Sequence, residues 1–200
     1  IKGALPIAVK AREAGFKGII LPKQNAREAA IVNNLEVLGV ENIVEVINFF
    51  DGKQVIAPTL IDTRAEFLAG LNNNITDISD VNGQENINRD LEIAVAGGHN
   101  VIMIGPPGAG KTMLAKRMSG ILPPLTLSEA LETTKIHSVS GRLSDNNSLM
   151  TSRPFRSPHH TISDVALVGG GTNPQPVELS LAYNGVLFLD ELPEFKLTVL

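Results

Sequence analysis

Gly105-Pro106-Pro107-Gly108-Ala109-Gly110-Lys111-Thr112 is the stretch that decides the fold. It satisfies G-x-x-x-x-G-K-[ST], the pattern of a phosphate-binding loop. The apolar run Val101-Ile102-Met103-Ile104 precedes it and is expected to form a buried strand. The run Met113-Leu114-Ala115-Lys116-Arg117-Met118 follows it and is expected to be helical. A strand feeding a helix through a glycine-rich turn aims several backbone N–H groups at one point. At a helix N-terminus that point favours a polyphosphate. Gly108 and Gly110 let the backbone close around the anion, Lys111 reaches the outer phosphates, and the Thr112 hydroxyl is placed to hold Mg²⁺. Gly105 to Met113 are therefore the expected contacts to ATP.

A second half-site lies downstream. Gly185-Val186-Leu187-Phe188-Leu189 reads as a buried strand and ends on Asp190-Glu191, the Walker B pattern. That chemistry needs both acids at the carboxyl edge of the strand. Asp190 is expected to share the Mg²⁺ with Thr112, and Glu191 to orient and deprotonate the attacking water. Lys111 and Glu191 are thus the expected catalytic pair. Parallel sheets place ligands at the carboxyl ends of their strands, so both half-sites can face one crevice.

Lys111 and Asp190 are 79 residues apart, more than a minimal helix–strand–helix crossing requires. The surplus holds Arg153-Pro154-Phe155-Arg156-Ser157-Pro158-His159-His160 and Gly169-Gly170-Gly171. Long inserts in compact domains are usually functional or disordered. Adjacent histidines lack a clear chelating spacing, and no cysteine or nearby carboxylate cluster completes a set. A loop lining a pore or meeting a partner is the favoured reading.

Two hundred residues can hold one large domain or two small ones, and an apolar fraction of 43 % is ordinary for a globular chain. No apolar run approaches the roughly 20 residues of a membrane span. Ile1-Lys2-Gly3 has neither an initiator Met nor a signal-peptide pattern, so an excised piece is expected. The absence of cysteine excludes disulfides and thiolate metal sites and fits a cytoplasmic protein. Net charge is −4, unlike a compact basic nucleic-acid binder. The segment from Lys135 to His160 nevertheless carries Lys135, Arg142, Arg153 and Arg156 against Asp145, a local charge of +3. It can be read as a solvated loop or as a basic lining.

Helical and extended patterns alternate over the first fifty residues, which argues for an α/β module. Leu5 to Ala14 is helix-like, and Gly18 to Leu21 and Leu35 to Val40 are strand candidates. Asn25 is expected to cap a helix reaching about Asn33, with Glu28 completing a capping-box-like pair. Glu41 to Phe50 reads as an amphipathic helix with Ile43, Val46, Ile47 and Phe50 on one face. Residues 51 to 80 look like a connector, with Asp51-Gly52, Pro58 and Asn72-Asn73-Asn74 as turn signals. A second domain is expected from about Asp80, with helices over Arg89–Ala96 and Leu127–Ile136. No internal repeat is evident.

Four stretches go beyond a generic nucleotide-binding loop. They are Gly97-Gly98-His99-Asn100, the loop Gly105 to Thr112, the segment Arg153 to His160, and Ser180 to Phe195. Together they resemble the ComM/YifB family of magnesium-chelatase-like AAA+ proteins, over nearly the whole chain. The resemblance implies an α/β fold. Its main part would be an incomplete P-loop NTPase (AAA+) parallel sheet over residues 80–200, with a pore-facing insertion at about 137–176. The C-terminal part of a Lon-protease-like (ribosomal S5-like) domain would precede it over 1–55, joined by a linker over 56–79. Val81, Gly83 and Gln84 match the segment that contacts adenine. The implied working form is a hexameric ring with ATP and Mg²⁺ between subunits, acting in the cytoplasm on single-stranded or branched DNA. A chelatase motor subunit and an ATP-gated scaffold are the alternatives.

Two departures stand out. Leu5, in Gly3-Ala4-Leu5-Pro6, falls where active Lon-type proteases carry the catalytic lysine, so no protease activity is expected. Val177 stands where the family usually has glycine, which is expected to stiffen the turn before Glu178. The resemblance also implies that sensor 1, the arginine finger and the lid lie beyond Leu200. The segment alone is thus expected to bind nucleotide weakly and hydrolyse it poorly.

Overall fold

The computed structural model describes residues 1–71, 85–143, 148–171 and 174–196. In chain order the elements begin with α1 (Ala4–Glu13), β1 (Gly18–Pro22), α2 (Lys23–Ala29), β2 (Glu36–Val40), α3 (Ile43–Phe50), α4 (Thr63–Leu71) and α5 (Glu85–Ala96). They continue with α6 (Lys111–Ile121), α7 (Leu127–Ser140), β3 (Phe155–Arg156), α8 (Asp164–Leu167), α9 (Glu178–Leu181), β4 (Val186–Leu187) and a 3₁₀ turn (Leu192–Glu194). Two compact units result, Ile1–Ala69 with Leu127–Met150, and Gly70–Thr126 with Thr151–Leu200. Among the described residues no helix is long and apolar enough to cross a membrane.

In the first unit, β1 and β2 pair in parallel with Gly18 opposite Glu36 and Pro22 opposite Val40. A parallel pair needs a crossover, and α2 supplies it. Its core gathers Leu5 and Ala8 from α1, Leu21 from β1, Ala26 and Ala29 from α2, and Val37 and Leu38 from β2, all buried. Glu28 ties three helices together. Its carboxylate accepts the Leu5 N–H in the first turn of α1 at 3.0 Å and also the Ser138 hydroxyl of α7. The Gly3 N–H reaches the Ser138 carbonyl at 3.1 Å. These bonds explain why residues 127–150, expected with the nucleotide-binding half, group with the first unit.

Local expectations shift in three places. Helix α2 starts at Lys23 behind the extended Pro22, so Asn25 lies inside it and bonds both backbone ends of Ile1 instead of capping. The cap appears at Asn42, whose side chain accepts the Glu45 N–H at 3.1 Å while the Glu45 carboxylate accepts the Glu41 N–H at 3.0 Å. The apolar face of α3 is real but exposed, since Ile43, Ile47 and Phe50 all face outward and no residue of α3 is buried. The expected connector is also more ordered than its turn residues suggest. Thr59 N–H bonds the Val37 carbonyl, Asp62 Oδ1 caps α4 through the Arg64 and Ala65 N–H groups, and buried Thr63 donates to the Ile31 carbonyl.

In the second unit α5 packs on α6 through Leu91 and Leu114, with Met103, Met118 and Ile121 against them. β3 and β4 form a parallel pair with Phe155 opposite Val186 and Arg156 opposite Leu187. Val186 N–H bonds the Pro154 carbonyl and Phe188 N–H the Arg156 carbonyl, each at 2.8 Å. Phe155 and Phe188 stack with ring centroids 6.2 Å apart. The expected strand over 185–189 is thus two residues long and half-buried rather than buried. The run Val101–Ile104 forms no strand, because no hydrogen-bonded neighbour flanks it among the described residues. Only Met103 turns into the core, whereas Ile102 and Ile104 are 72 % and 91 % exposed.

Glu28 gives the first unit a direct test. Replacing it with Ala strands a part-buried N–H and a hydroxyl, which costs about 1–3 kcal/mol. Glu28→Ala should lower the denaturation midpoint accordingly. Glu28→Gln, which keeps an acceptor oxygen, should lose less. Equal midpoints for the natural protein and Glu28→Ala would show that α1 and α7 do not depend on this carboxylate.

Candidate nucleotide-binding site

The loop after Ile104 closes by local backbone chemistry. Gly108 and Gly110 both take φ near +81°, the left-handed region that side chains disfavour. Gly110 then stands as the N-cap of α6, and the Leu114 N–H returns to its carbonyl at 2.9 Å. The amides of Lys111, Thr112 and Met113 sit in the first turn, where a helix offers them no acceptor of its own and its dipole is positive. Lys111 Nζ folds back over the loop and donates to the Gly105 and Pro106 carbonyls, each at 2.9 Å. The ammonium and the first-turn amides thus converge on the mouth of one turn, as Gly105 to Met113 were expected to do.

Thr112 Oγ1 donates to Asp190 Oδ2 at 2.9 Å, across 78 residues of sequence. This bond joins the glycine loop to the acids after β4. An O···O distance of that size is also the spacing of two neighbouring ligands on an octahedral Mg²⁺ with bonds of about 2.1 Å. Hydroxyl and carboxylate oxygens are the hard donors that ion prefers, so the residues present fit it.

Glu191 follows in the left-handed region at φ 54° and ψ 48°, a sparsely populated conformation for a residue with a side chain. Its N–H bonds Asp190 Oδ1 at 3.1 Å, which orients the first carboxylate. Glu191 Oε2 lies 3.1 Å from His160 Nδ1, with the carboxylate side chain 64 % exposed and the imidazole 28 % exposed. Sequence reasoning missed this role for His160. It asked only whether the His159-His160 pair could chelate a metal, and among the described residues no group of three or more ligating side chains gathers. The available signal was position, since His160 comes four residues after β3 and Glu191 four residues after β4, its parallel neighbour.

The arginines of the same segment brace the site. Arg156 grips Glu178 through two bonds of 2.6 and 2.7 Å, both side chains largely buried. Arg153 donates to the Pro123 and Asn184 carbonyls at 2.6 and 2.8 Å. They therefore hold the start of α9 and the turn into β4, while Lys135 and Arg142 belong to the other unit. The +3 of the sequence is not one basic surface. Val177 has φ −98° and ψ 173°, extended backbone that a β-branched residue adopts without strain. Val81, Gly83 and Gln84, expected at the adenine, lie outside the described residues.

The family model for magnesium chelatase, subunit ChlI, matches residues 77–200. Competence protein ComM of Haemophilus influenzae is 44 % identical over the whole chain, which spans 39 % of that relative's length. Uncharacterized protein YifB of Escherichia coli is 46 % identical over 98 % of the chain and 37 % of its own length. An uncharacterized protein of Mycobacterium tuberculosis is 41 % identical over the whole chain and 39 % of its own length. The chain thus spans about two fifths of the length of the curated relatives it matches. A glycine loop joined to Asp190, the family match from residue 77 onward and identity extending through the first unit converge on one assignment: this chain belongs to the magnesium chelatase family, in its ComM/YifB group.

Proposed function

We propose that this chain carries the ATP-binding face of an AAA+ motor that hydrolyses ATP with Mg²⁺ and, as a hexameric ring in the cytoplasm, drives branched or single-stranded DNA. The Thr112–Asp190 bond carries the nucleotide part of this reading, because it brings the two half-sites to one point. Thr112 and Asp190 would hold the Mg²⁺, which supplies charge neutralisation for the outer phosphates. The first-turn amides and Lys111 bind and orient the phosphate chain. Glu191 accepts the proton of the attacking water. Val81, Gly83 and Gln84 receive the adenine.

The DNA substrate is supported by the resemblance set out above and by the competence role named for the Haemophilus influenzae relative. It draws no support from Arg153 and Arg156, whose guanidinium groups are engaged within the protein. The chelatase name of the family model favours a second reading, a motor that serves metal insertion. Leu5 is buried and apolar, so it offers no group to activate a serine in the Lon-like part.

Three outcomes test the proposal on the intact protein. Lys111→Ala removes charge-assisted contacts worth about 1.5–3 kcal/mol each and should weaken ATP binding roughly a hundredfold, read by calorimetry. Unchanged affinity would remove Lys111 from the site. Glu191→Gln should bind ATP normally while kcat falls by about 10²- to 10⁴-fold. Single-stranded or branched DNA should raise the ATPase rate and be accompanied by strand displacement. Stimulation by a porphyrin and a partner subunit instead would favour the chelatase reading, and no response to either would leave an ATP-gated scaffold.

A further inference from the structure

The one side chain paired with the Glu191 carboxylate among the described interactions is His160 Nδ1, at 3.1 Å. A general base needs a fixed orientation as much as a suitable basicity, since small misplacements of a reacting group cost large factors in rate. Glu191 has little else to fix it. Its side chain is well exposed, and its backbone sits in a left-handed conformation that the following 3₁₀ turn must hold. His160 is better anchored. Pro158 just before it is buried, its ring packs on His159 at a centroid distance of 4.1 Å, and His159 Nδ1 meets the Thr161 hydroxyl and N–H. The Ile162 N–H closes the turn on the His159 carbonyl at 3.0 Å, and Ser163 caps α8 immediately after. The imidazole is therefore a fixed post beside a mobile carboxylate.

We propose that His160 is a positioning residue for ATP hydrolysis: its Nδ1–H donates to Glu191 Oε2 and leaves Oε1 directed at the water. This rests on the reading of Glu191 as the base. It also gives the segment after β3 a physical handle on the reaction. Any partner that draws residues 161–171 away withdraws the post and slows turnover without touching the nucleotide.

The test uses steady-state ATPase kinetics and ATP affinity of the intact protein. His160→Ala should lower kcat roughly ten- to a hundredfold, with KM and ATP affinity nearly unchanged. Asparagine places its amide donor where Nδ1 stands, whereas glutamine places it nearer Nε2. His160→Asn should therefore recover most of the rate, and His160→Gln should not. In a Glu191→Gln background, His160→Ala should cost nothing further. Full activity in His160→Ala, equal rates for the Asn and Gln variants, or an undiminished loss in the Glu191→Gln background would each overturn the proposal. If His160→Ala loses ATP affinity through misfolding, the Asn and Gln pair alone decides. Absence of ATPase activity in the unaltered protein, or full activity in Glu191→Gln, would strike the reading of the site itself, so the two failures are distinguishable.

Discussion

The structure of the site depends on one contact, the Thr112 hydroxyl on the Asp190 carboxylate. Bringing together two groups 78 residues apart carries a closure entropy of about 4 kcal/mol before any constant term. A single hydrogen bond contributes only about 1 kcal/mol net. The contact is therefore a consequence of the packing around it. The Leu91–Leu114 cluster holds α6, and the two backbone bonds between β3 and β4 aim the acids.

The arginine-rich segment shows how the packing is secured. Arg156 and Glu178 are largely buried, and breaking such a pair would leave a charge in low dielectric. Their two-pronged geometry also fixes direction, because a guanidinium fork meets a carboxylate in few ways. Arg153 adds a second brace at Asn184, one residue before β4 resumes. Gly185 completes it, since a Cβ there would collide with the Pro154 carbonyl oxygen that accepts the Val186 N–H. A segment that looks like a basic surface in sequence is, in space, the fastening of the Asp190-bearing strand.

What was legible in the sequence is what local chemistry encodes. Glycines at two left-handed positions, a lysine and a hydroxyl in the first helical turn, and an apolar run ending in Asp-Glu all specify their own geometry within a few residues. The first unit's parallel pair was legible for the same reason, as two short β-branched runs flanking a helix. Strand formation at Val101–Ile104 was not, because a strand is defined by a neighbour and a linear pattern does not name one. Helix caps misled similarly. Asn25-x-x-Glu28 and Asn42-x-x-Glu45 share a signature, yet at the first the chain turns helical at Lys23, and Asn25 is drawn to Ile1 while Glu28 serves Leu5. Helix α4 was hidden behind Gly52 and Pro58, although Asp62 gave a capping signal. The pairing of His160 with Glu191 required the β3–β4 register, which joins positions 31 residues apart.

The loop itself explains why nucleotide recognition survives an unpaired run before it. Its shape is set from Gly105 onward by the two glycines, by the Leu114 N–H on Gly110, and by Lys111 lying across two carbonyls. That lysine keeps the turn closed by spending its donors on neutral oxygens. Phosphate oxygens accept the same donors in charge-assisted bonds roughly twice as strong. Binding is then an exchange of acceptors at one ammonium rather than the creation of a site, and the backbone that must face the anion is already turned toward it. The loop can therefore recognise a polyphosphate on the strength of about nine residues. The chemistry of turnover depends instead on the distant fastening that brings Asp190, Glu191 and His160 to the same edge.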